Sequence, residues 1–239
     1  MKLDILAFGA HPDDVELSCA GTLAKEISKG KKAGIIDLTR GELGTRGSAT
    51  LRQQEADKAA KILGVDVREN LKFRDGFFQN DEKHQLEIIK ILRKYRPEIV
   101  FCNAIEDRHI DHGKGSQLVS DACFLSGLEK IVTDQDGGQQ RKWRPKQVYH
   151  YIQWKSITPD FVVDISGYMD IKIKSVEAYA SQFFTKEATD KPSTPISSQN
   201  FKDSISYRAA DFGRLIGTDY AEGFTAERYV AVDSIFDLI

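Results

Sequence analysis

The chain has 239 residues, 41% hydrophobic and 29% charged, and its 34 Lys and Arg against 36 Asp and Glu leave a formal charge of −2. This length and composition suffice to bury a sizeable core without staples, which excludes disordered, collagen-like and coiled-coil architectures. The near-neutral balance supplies no general attraction to nucleic acid or to an anionic membrane surface, so we expect neither as a partner.

In chain order, Leu3 to Gly9 is a short apolar run ending at glycine and predicts a buried strand. Val15 to Lys29 carries apolar residues at helical spacing and stops at Gly30, a frequent helix terminator. Ala33 to Leu38 predicts the second strand, and Leu51 to Leu63 a helix closed by Gly64. Asn70 to Phe73, Leu86 to Tyr95, Ile99 to Asn103 and Gly115 to Gly127 continue the alternation of strand and helix. Such an alternation predicts an α/β fold, a Rossmann-like doubly wound, mostly parallel sheet with helices on both faces.

Residues 133–144 are polar and predict a surface loop. Strands at Val148 to Gln153 and Phe161 to Ile165 follow, then helices near Ile171 to Phe183 and Ile205 to Leu215. The Ser-, Thr- and Pro-rich stretch 188–201 predicts a loop. No internal repeat occurs, and we expect one domain over 1–239, with a small α+β extension over 145–239 completing the Rossmann-like half at 1–127. Three widely spaced cysteines, Cys19, Cys102 and Cys123, predict buried reduced thiols in a cytoplasmic protein. The start has no signal-peptide pattern, and no apolar run approaches the roughly eighteen residues that span a bilayer.

Of the five histidines, three lie in two acidic clusters. Ala10-His11-Pro12-Asp13-Asp14 directly follows the first strand, and Asp107-Arg108-His109-Ile110-Asp111-His112-Gly113 follows the fourth. In the common doubly wound order these strands are neighbours at the switch point, where ligands bind at the carboxyl ends. Imidazole and carboxylate at one place suit zinc and its neighbours: two His and one Asp leave a fourth position for water, whose pKa falls to about 7. The surplus carboxylates are available as general base or as partners behind the ligands. Asp14, before Val15, can also cap the helix. His84, at a helix start, and His150, inside a strand, are expected to be structural. No Gly-x-Gly-x-x-Gly follows the first strand, and two carboxylates stand where a pyrophosphate needs donors, which disfavours nucleotide binding. No serine sits in a nucleophile-elbow sequence.

The two clusters, with Leu38-Thr39-Arg40-Gly41-Glu42-Leu43-Gly44-Thr45-Arg46-Gly47 between them, resemble the PIG-L/LmbE family of zinc-dependent N-acetylglucosaminide deacetylases. The likeness runs over essentially the whole chain, including Leu51-Arg52-Gln53-Gln54-Glu55-Ala56, Arg74-Asp75-Gly76-Phe77 and Tyr220-Ala221-Glu222-Gly223-Phe224. These details are most similar to the bacillithiol branch, which removes acetate from N-acetylglucosaminyl malate. The resemblance implies Zn²⁺, with Fe²⁺ or Co²⁺ sharing the same donors, held by His11, Asp14 and His112. It implies Asp13 as general base, His109 as the group stabilising the oxyanion, and Asp111 as the carboxylate orienting His109. Arg52, Asp75 and Arg108 fall where the family binds substrate, and relatives are homo-oligomers, commonly hexamers.

Two departures stand out: Ile110 replaces a usual proline, freeing one backbone angle, and Cys19-Ala20-Gly21-Thr22 stands where Gly-Gly-Thr is common. A malyl aglycone carries two carboxylates, which the forks of Arg52 and Arg108 match; the alternative is that they pair locally with Glu55 or Asp107. Rival readings are a family member acting on another glucosaminide or thiol conjugate, and a non-catalytic zinc- or sugar-binding module.

Overall fold

The computed structural model describes residues 1–135, 137–183 and 192–238. Its elements are β1 (Ile5–Gly9), α1 (Asp14–Ser18), α2 (Ala20–Ser28), β2 (Ala33–Thr39), α3 (Ala49–Leu63), β3 (Val67–Phe73), α4 (Glu82–Tyr95), β4 (Ile99–Cys102) and α5 (Ile110–Leu125). There follow β5 (Asp134–Gln135), β6 (Gly138–Gln139), β7 (Gln147–Tyr151), β8 (Phe161–Asp164), α6 (Met169–Glu177), α7 (Gln199–Ile216) and β9 (Ala221–Ala226). Seven strands form one sheet in the order β3-β2-β1-β4-β7-β9-β8. The first five are mutually parallel, whereas β9 runs antiparallel to both β7 and β8. This is the expected mostly parallel doubly wound sheet.

Alternate residues of β1 feed different cores. Leu6 and Phe8 pack with Ile88 and Leu92 of α4 and Leu118 of α5, whereas Ile5 and Ala7 pack with Leu23 of α2, Tyr151 and Phe224. Helices therefore cover both faces, which is why β1 and β2 are buried along their whole length and read as continuous apolar runs. A third cluster, with Ala56, Ile165, Tyr179 and Ile205, joins α3 and α6 to α7. All three cysteines are buried and free.

Several boundaries differ from the sequence reading. The single helix expected over Val15 to Lys29 is two, broken at Cys19. Glu222 of β9 accepts the amides of Gly21 (2.9 Å) and Thr22 (2.7 Å), capping α2 from two hundred residues away. A Cβ at Gly21 would lie 2.7 Å from Ile165, so the restart also needs a glycine. Asp14 does not cap α1: its Oδ2 accepts the His11 amide instead (2.9 Å). Within the loop expected at 133–144, β5 and β6 form a short hairpin. Of the loop expected at 188–201, residues 188–191 lie outside the described residues, and α7 already begins at Gln199, where the Ser198 side chain accepts the Phe201 amide. The helix expected to reach Phe183 ends at Glu177.

Arg93 on α4 fixes the end of α5. Its buried guanidinium donates to the carbonyls of Ser126 (3.1 Å), Leu128 (2.9 Å) and Ile131 (2.7 Å) and to Thr133 Oγ1 (2.8 Å). Arg93→Met should lower unfolding free energy by about 2–3 kcal/mol, read as a drop in urea midpoint at constant m-value, because these acceptors lose their charged donor.

Candidate active site and metal centre

The loops after β1 and β4 are tied together at the sheet's carboxyl edge. Asn103, just past β4, accepts the Ala10 amide on Oδ1 (2.9 Å) and donates from Nδ2 to Asp14 Oδ2 (3.0 Å). A Cβ at Gly9 would crowd the His11 carbonyl at 3.0 Å and Asp14 Cβ at 3.2 Å, so the chain turns there because glycine occupies the strand end. His109 caps α5, which puts Asp111 and His112 in its first turn.

His112 Nε2 lies 3.2 Å from Asp14 Oδ1, and His11 Nδ1 lies 3.6 Å from Asp14 Oδ2. Each ring is held from behind by another acid: His11 Nε2 is 3.1 Å from Asp75 Oδ1, and His112 Nδ1 is 2.6 Å from Asp107 Oδ2. Carboxylates behind imidazoles fix the ring orientation that presents the remaining nitrogen to a metal. Gln153 completes the frame by donating to Asp14 Oδ1 (2.7 Å). Two imidazole nitrogens facing one carboxylate are a donor set that fits a divalent ion of the zinc type. The groups of three whose donor atoms all lie within 4.8 Å of one another among the described residues are His11, His109 and His112, and His11, Asp75 and Asp111; Asp14 instead meets the two imidazoles with different oxygens.

The electrostatics follow from this crowding. Burial opposes charge on His112, but Asp14 and Asp107 outweigh it and raise the ring to about 9. Burial likewise opposes charge on His11, yet Asp111, Asp14 and Asp75 hold it well above the ordinary value. Burial works against ionised Asp14, while His112 and His11 keep its carboxyl well below the usual range. Burial drives Asp13 up to about 7, with the Arg52 guanidinium pulling the other way.

Asp13 adopts φ 119°, a left-handed conformation that costs energy for any residue but glycine and collects at functional sites. Its Oδ2 accepts from Arg52 Nη2 at 2.8 Å, and the same nitrogen donates to the Pro12 carbonyl. His109 accepts the Asp111 amide on Nδ1 (3.2 Å), which assigns the neutral ring its proton on Nε2. Burial and the neighbouring His11 and His112 lower its pKa, favouring that neutral form.

Eight of the nine residues singled out from the sequence line one cavity of about 350 Å³; Asp111 lies beneath it, fully buried. Four side chains have partners other than those weighed from the sequence. The Asp111 carboxylate meets Lys114 (2.7 Å), the Gly76 amide (2.7 Å) and His11 Nε2 (3.5 Å) rather than the His109 ring, because Lys114 one turn along draws it away. The Asp75 carboxylate is engaged by His11 and by the Leu43 amide (3.0 Å) rather than left free for substrate. Arg52 pairs with Asp13 and not Glu55, whose carboxylate holds Ser181. The Arg108 guanidinium does not pair with Asp107 but lies 4.6 Å from the centre of the Trp154 ring.

Asn103, Gln153 and the supporting role of Asp107 were not read from the sequence; only Asp107, inside the second cluster, left a signal there. His84 and His150 lie outside the cavity, His84 on its helix cap Asp81 (2.7 Å) and His150 among Ser116 (2.7 Å), Cys102 (3.2 Å) and Glu227 (3.1 Å).

The chain is 40% identical over 125 residues to an uncharacterized deacetylase of Escherichia coli, covering 50% of this chain and 67% of that one. It is 28% identical over 190 residues to the diacetylchitobiose deacetylase of Thermococcus kodakarensis, covering 75% and 70% of the two chains. A glucosaminyl malate relative, a probable deacetylase of Bacillus anthracis, is 24% identical over 204 residues, covering 76% and 82%. The crystal structure of a conserved protein from Thermus thermophilus superposes with a TM-score of 0.85 at 34% identity, over 97% of this chain and 98% of that one. The family model described as GlcNAc-PI de-N-acetylase matches residues 6–123, the stretch that carries both clusters, and the chain belongs to this PIG-L family of deacetylases.

Proposed function

We propose that the protein is a metal-dependent hydrolase that removes the N-acetyl group from an N-acetylglucosaminide, N-acetylglucosaminyl malate being the expected substrate, and that it works as a cytoplasmic homo-oligomer. The observation that carries this reading is the His11, Asp14 and His112 donor set sharing one cavity with Asp13 and His109. A divalent ion held by His11, Asp14 and His112, Zn²⁺ first with Fe²⁺ or Co²⁺ as substitutes, would polarise the acetamide carbonyl and acidify water.

The chain's own residues do the remainder. Asp13 accepts the proton of the attacking water, and Arg52 keeps its carboxylate aimed. His109 donates its Nε2 proton in a hydrogen bond to the oxygen that gains charge as water adds to the carbonyl carbon. The carbon–nitrogen bond then breaks, the proton held by Asp13 goes to the departing amine, and acetate and a free amino sugar result. Asp75 and Asp107 steady the two imidazoles throughout. A binding module without catalysis has no use for a strained Asp13 or for a neutral His109 donor.

The sugar class is supported by relatives named for diacetylchitobiose and glucosaminyl malate. The malyl aglycone is supported by Arg108, whose guanidinium lines the cavity free of any acid among the described residues. Release of amine from N-acetylglucosaminyl malate by the metal-loaded protein tests the reaction; no release from any acetylated glucosaminide overturns it. His11→Ala and His112→Ala should each lose the single equivalent of metal while circular dichroism stays unchanged. Full metal content in both would overturn the ligand assignment.

A further inference from the structure

Four arginines line the cavity: Arg46, Arg52, Arg108 and Arg208. Among the described residues every carboxylate in its lining is already engaged: Asp13 by Arg52, Asp14 by the two imidazoles, Asp75 by His11 and Asp107 by His112. Arg46, Arg108 and Arg208 have no carboxylate within 4.0 Å among the described residues. Guanidinium groups remain charged at any ordinary pH, so among the described residues the cavity holds three cations without a paired carboxylate.

Arg46 is 6% exposed; its Nη1 donates to the Gln182 carbonyl (3.1 Å), and its buried Nε has no partner. Arg208 lies on α7 two turns after Phe201, so both side chains share a helix face. Phe201 stacks on Trp154 with centroids 5.3 Å apart, and Arg108 lies over the same indole. Arg108, Trp154, Phe201 and Arg208 thus belong to one continuous aromatic and cationic wall. Arg208 is half-buried; burial lowers its pKa, and among the described residues Asp107 and Glu222 oppose that shift.

We infer that Arg208, together with Arg46, binds a carboxylate-bearing aglycone and sets the preference for anionic over neutral glucosaminides. This rests on the proposed deacetylation and assigns its specificity to residues outside both metal-site motifs. A cavity of about 350 Å³ falls at the lower end of the range that accepts one small ligand, here a substituted monosaccharide. Planar guanidinium forks suit carboxylates through paired charge-assisted hydrogen bonds, whereas the hydroxyls of a neutral aglycone leave the positive charge unbalanced.

The test compares the metal-loaded wild type with Arg208→Gln, Arg208→Lys and Arg46→Gln, and uses Arg214→Gln as control. Arg214 sits on the same helix but is exposed and paired with Asp211 (2.7 Å). Two measurements are made: kcat/KM on N-acetylglucosaminyl malate and on methyl N-acetylglucosaminide, and calorimetric binding of malate alone. Arg208→Gln and Arg46→Gln should each lose about 10- to 150-fold on the malyl substrate and in malate affinity. Both should stay within about twofold of wild type on the neutral substrate, with Arg208→Lys recovering part of the loss. The control should match wild type in every assay.

Equal losses on both substrates, or unchanged malate affinity in the glutamine variants, overturn the inference. So does a wild type that binds no malate. If the wild type hydrolyses neither sugar but binds malate through these arginines, the proposed reaction fails while the anion site stands.

Discussion

Asp13→Asn is expected to retain its full equivalent of metal and to lose about 10²- to 10⁴-fold in kcat, the usual contribution of a positioned general base. Asparagine is nearly isosteric and tolerates the left-handed backbone of this position better than other side chains, so the loop should keep its shape. It still accepts a hydrogen bond from Arg52 but no longer takes a proton from water. Asp14→Asn should behave in the opposite way. Asp14 faces both imidazoles, and neutralising it should release the ion before any effect on turnover can be separated. Metal analysis beside kcat for the two variants distinguishes base from ligand; the reverse pattern would exchange the two roles.

The largest stability loss is expected at Arg68, on β3 directly behind the site. Its fork donates to both oxygens of Asp37 on β2 (2.9 and 2.8 Å), and its Nη1 donates to Glu16 on α1 (2.5 Å). Glu16 also accepts from the Tyr179 hydroxyl (3.0 Å). Glu16 and Asp37 are 0% and 1% exposed, so Arg68→Met strands two carboxylates in the core. Removing one partner of a buried ion pair costs about 3–5 kcal/mol. Burial already pushes Asp37 upward with Arg68 resisting, and without that arginine its folded pKa climbs further. A carboxyl raised in the folded state binds more protons there than in the unfolded chain. The deficit of Arg68→Met should therefore shrink as pH falls below neutrality. A urea midpoint within error of wild type, or a deficit growing towards acid pH, would contradict this account.

What the sequence disclosed and what it hid divide along the range of the interactions. β1 and β2 were legible because both faces are buried, leaving no polar alternation to confuse the apolar runs. The bodies of the helices at 49–63 and 82–95 were legible from period, and the end of the first from Gly64, but their starts were read two and four residues late because the capping Ser48 and Asp81 were not recognised. Ser48 accepts the Leu51 amide, Asp81 accepts the His84 amide, and Gly64 takes φ 75° after the first of them. Both ligand clusters were legible because strand order alone puts them at one sheet edge.

The break at Cys19 was not legible, since the acceptor for the α2 amides is Glu222 on the last strand. β9 itself carries Glu222 and Gly223, with Glu222 buried against Lys172, so no strand alternation shows. In the site, residue types were visible but partners were not. Asp111 and Asp75 both turn to His11 because Lys114, Gly76 and Leu43 fix their carboxylates, and those contacts depend on where two loops meet. Arg208 was hidden for the same reason: nothing in a helix of mixed polarity says which face meets a cavity formed mostly by other loops.

The position of β9 between β7 and β8 has a consequence for how the protein is made. Both neighbours leave the ribosome before the strand that must join them, and β7 and β8 make no pairing with each other. Until residues 221–226 emerge, β7 presents an open edge, α2 lacks its Glu222 cap, and Lys172 is without its acid. The Rossmann-like half can condense early, but closure of the sheet is a late, long-range event of the kind that slows folding and exposes strand edges to wrong partners. Overproduction faster than that closure should direct nascent chains into aggregates through β7, and slower synthesis at lower temperature should recover native protein.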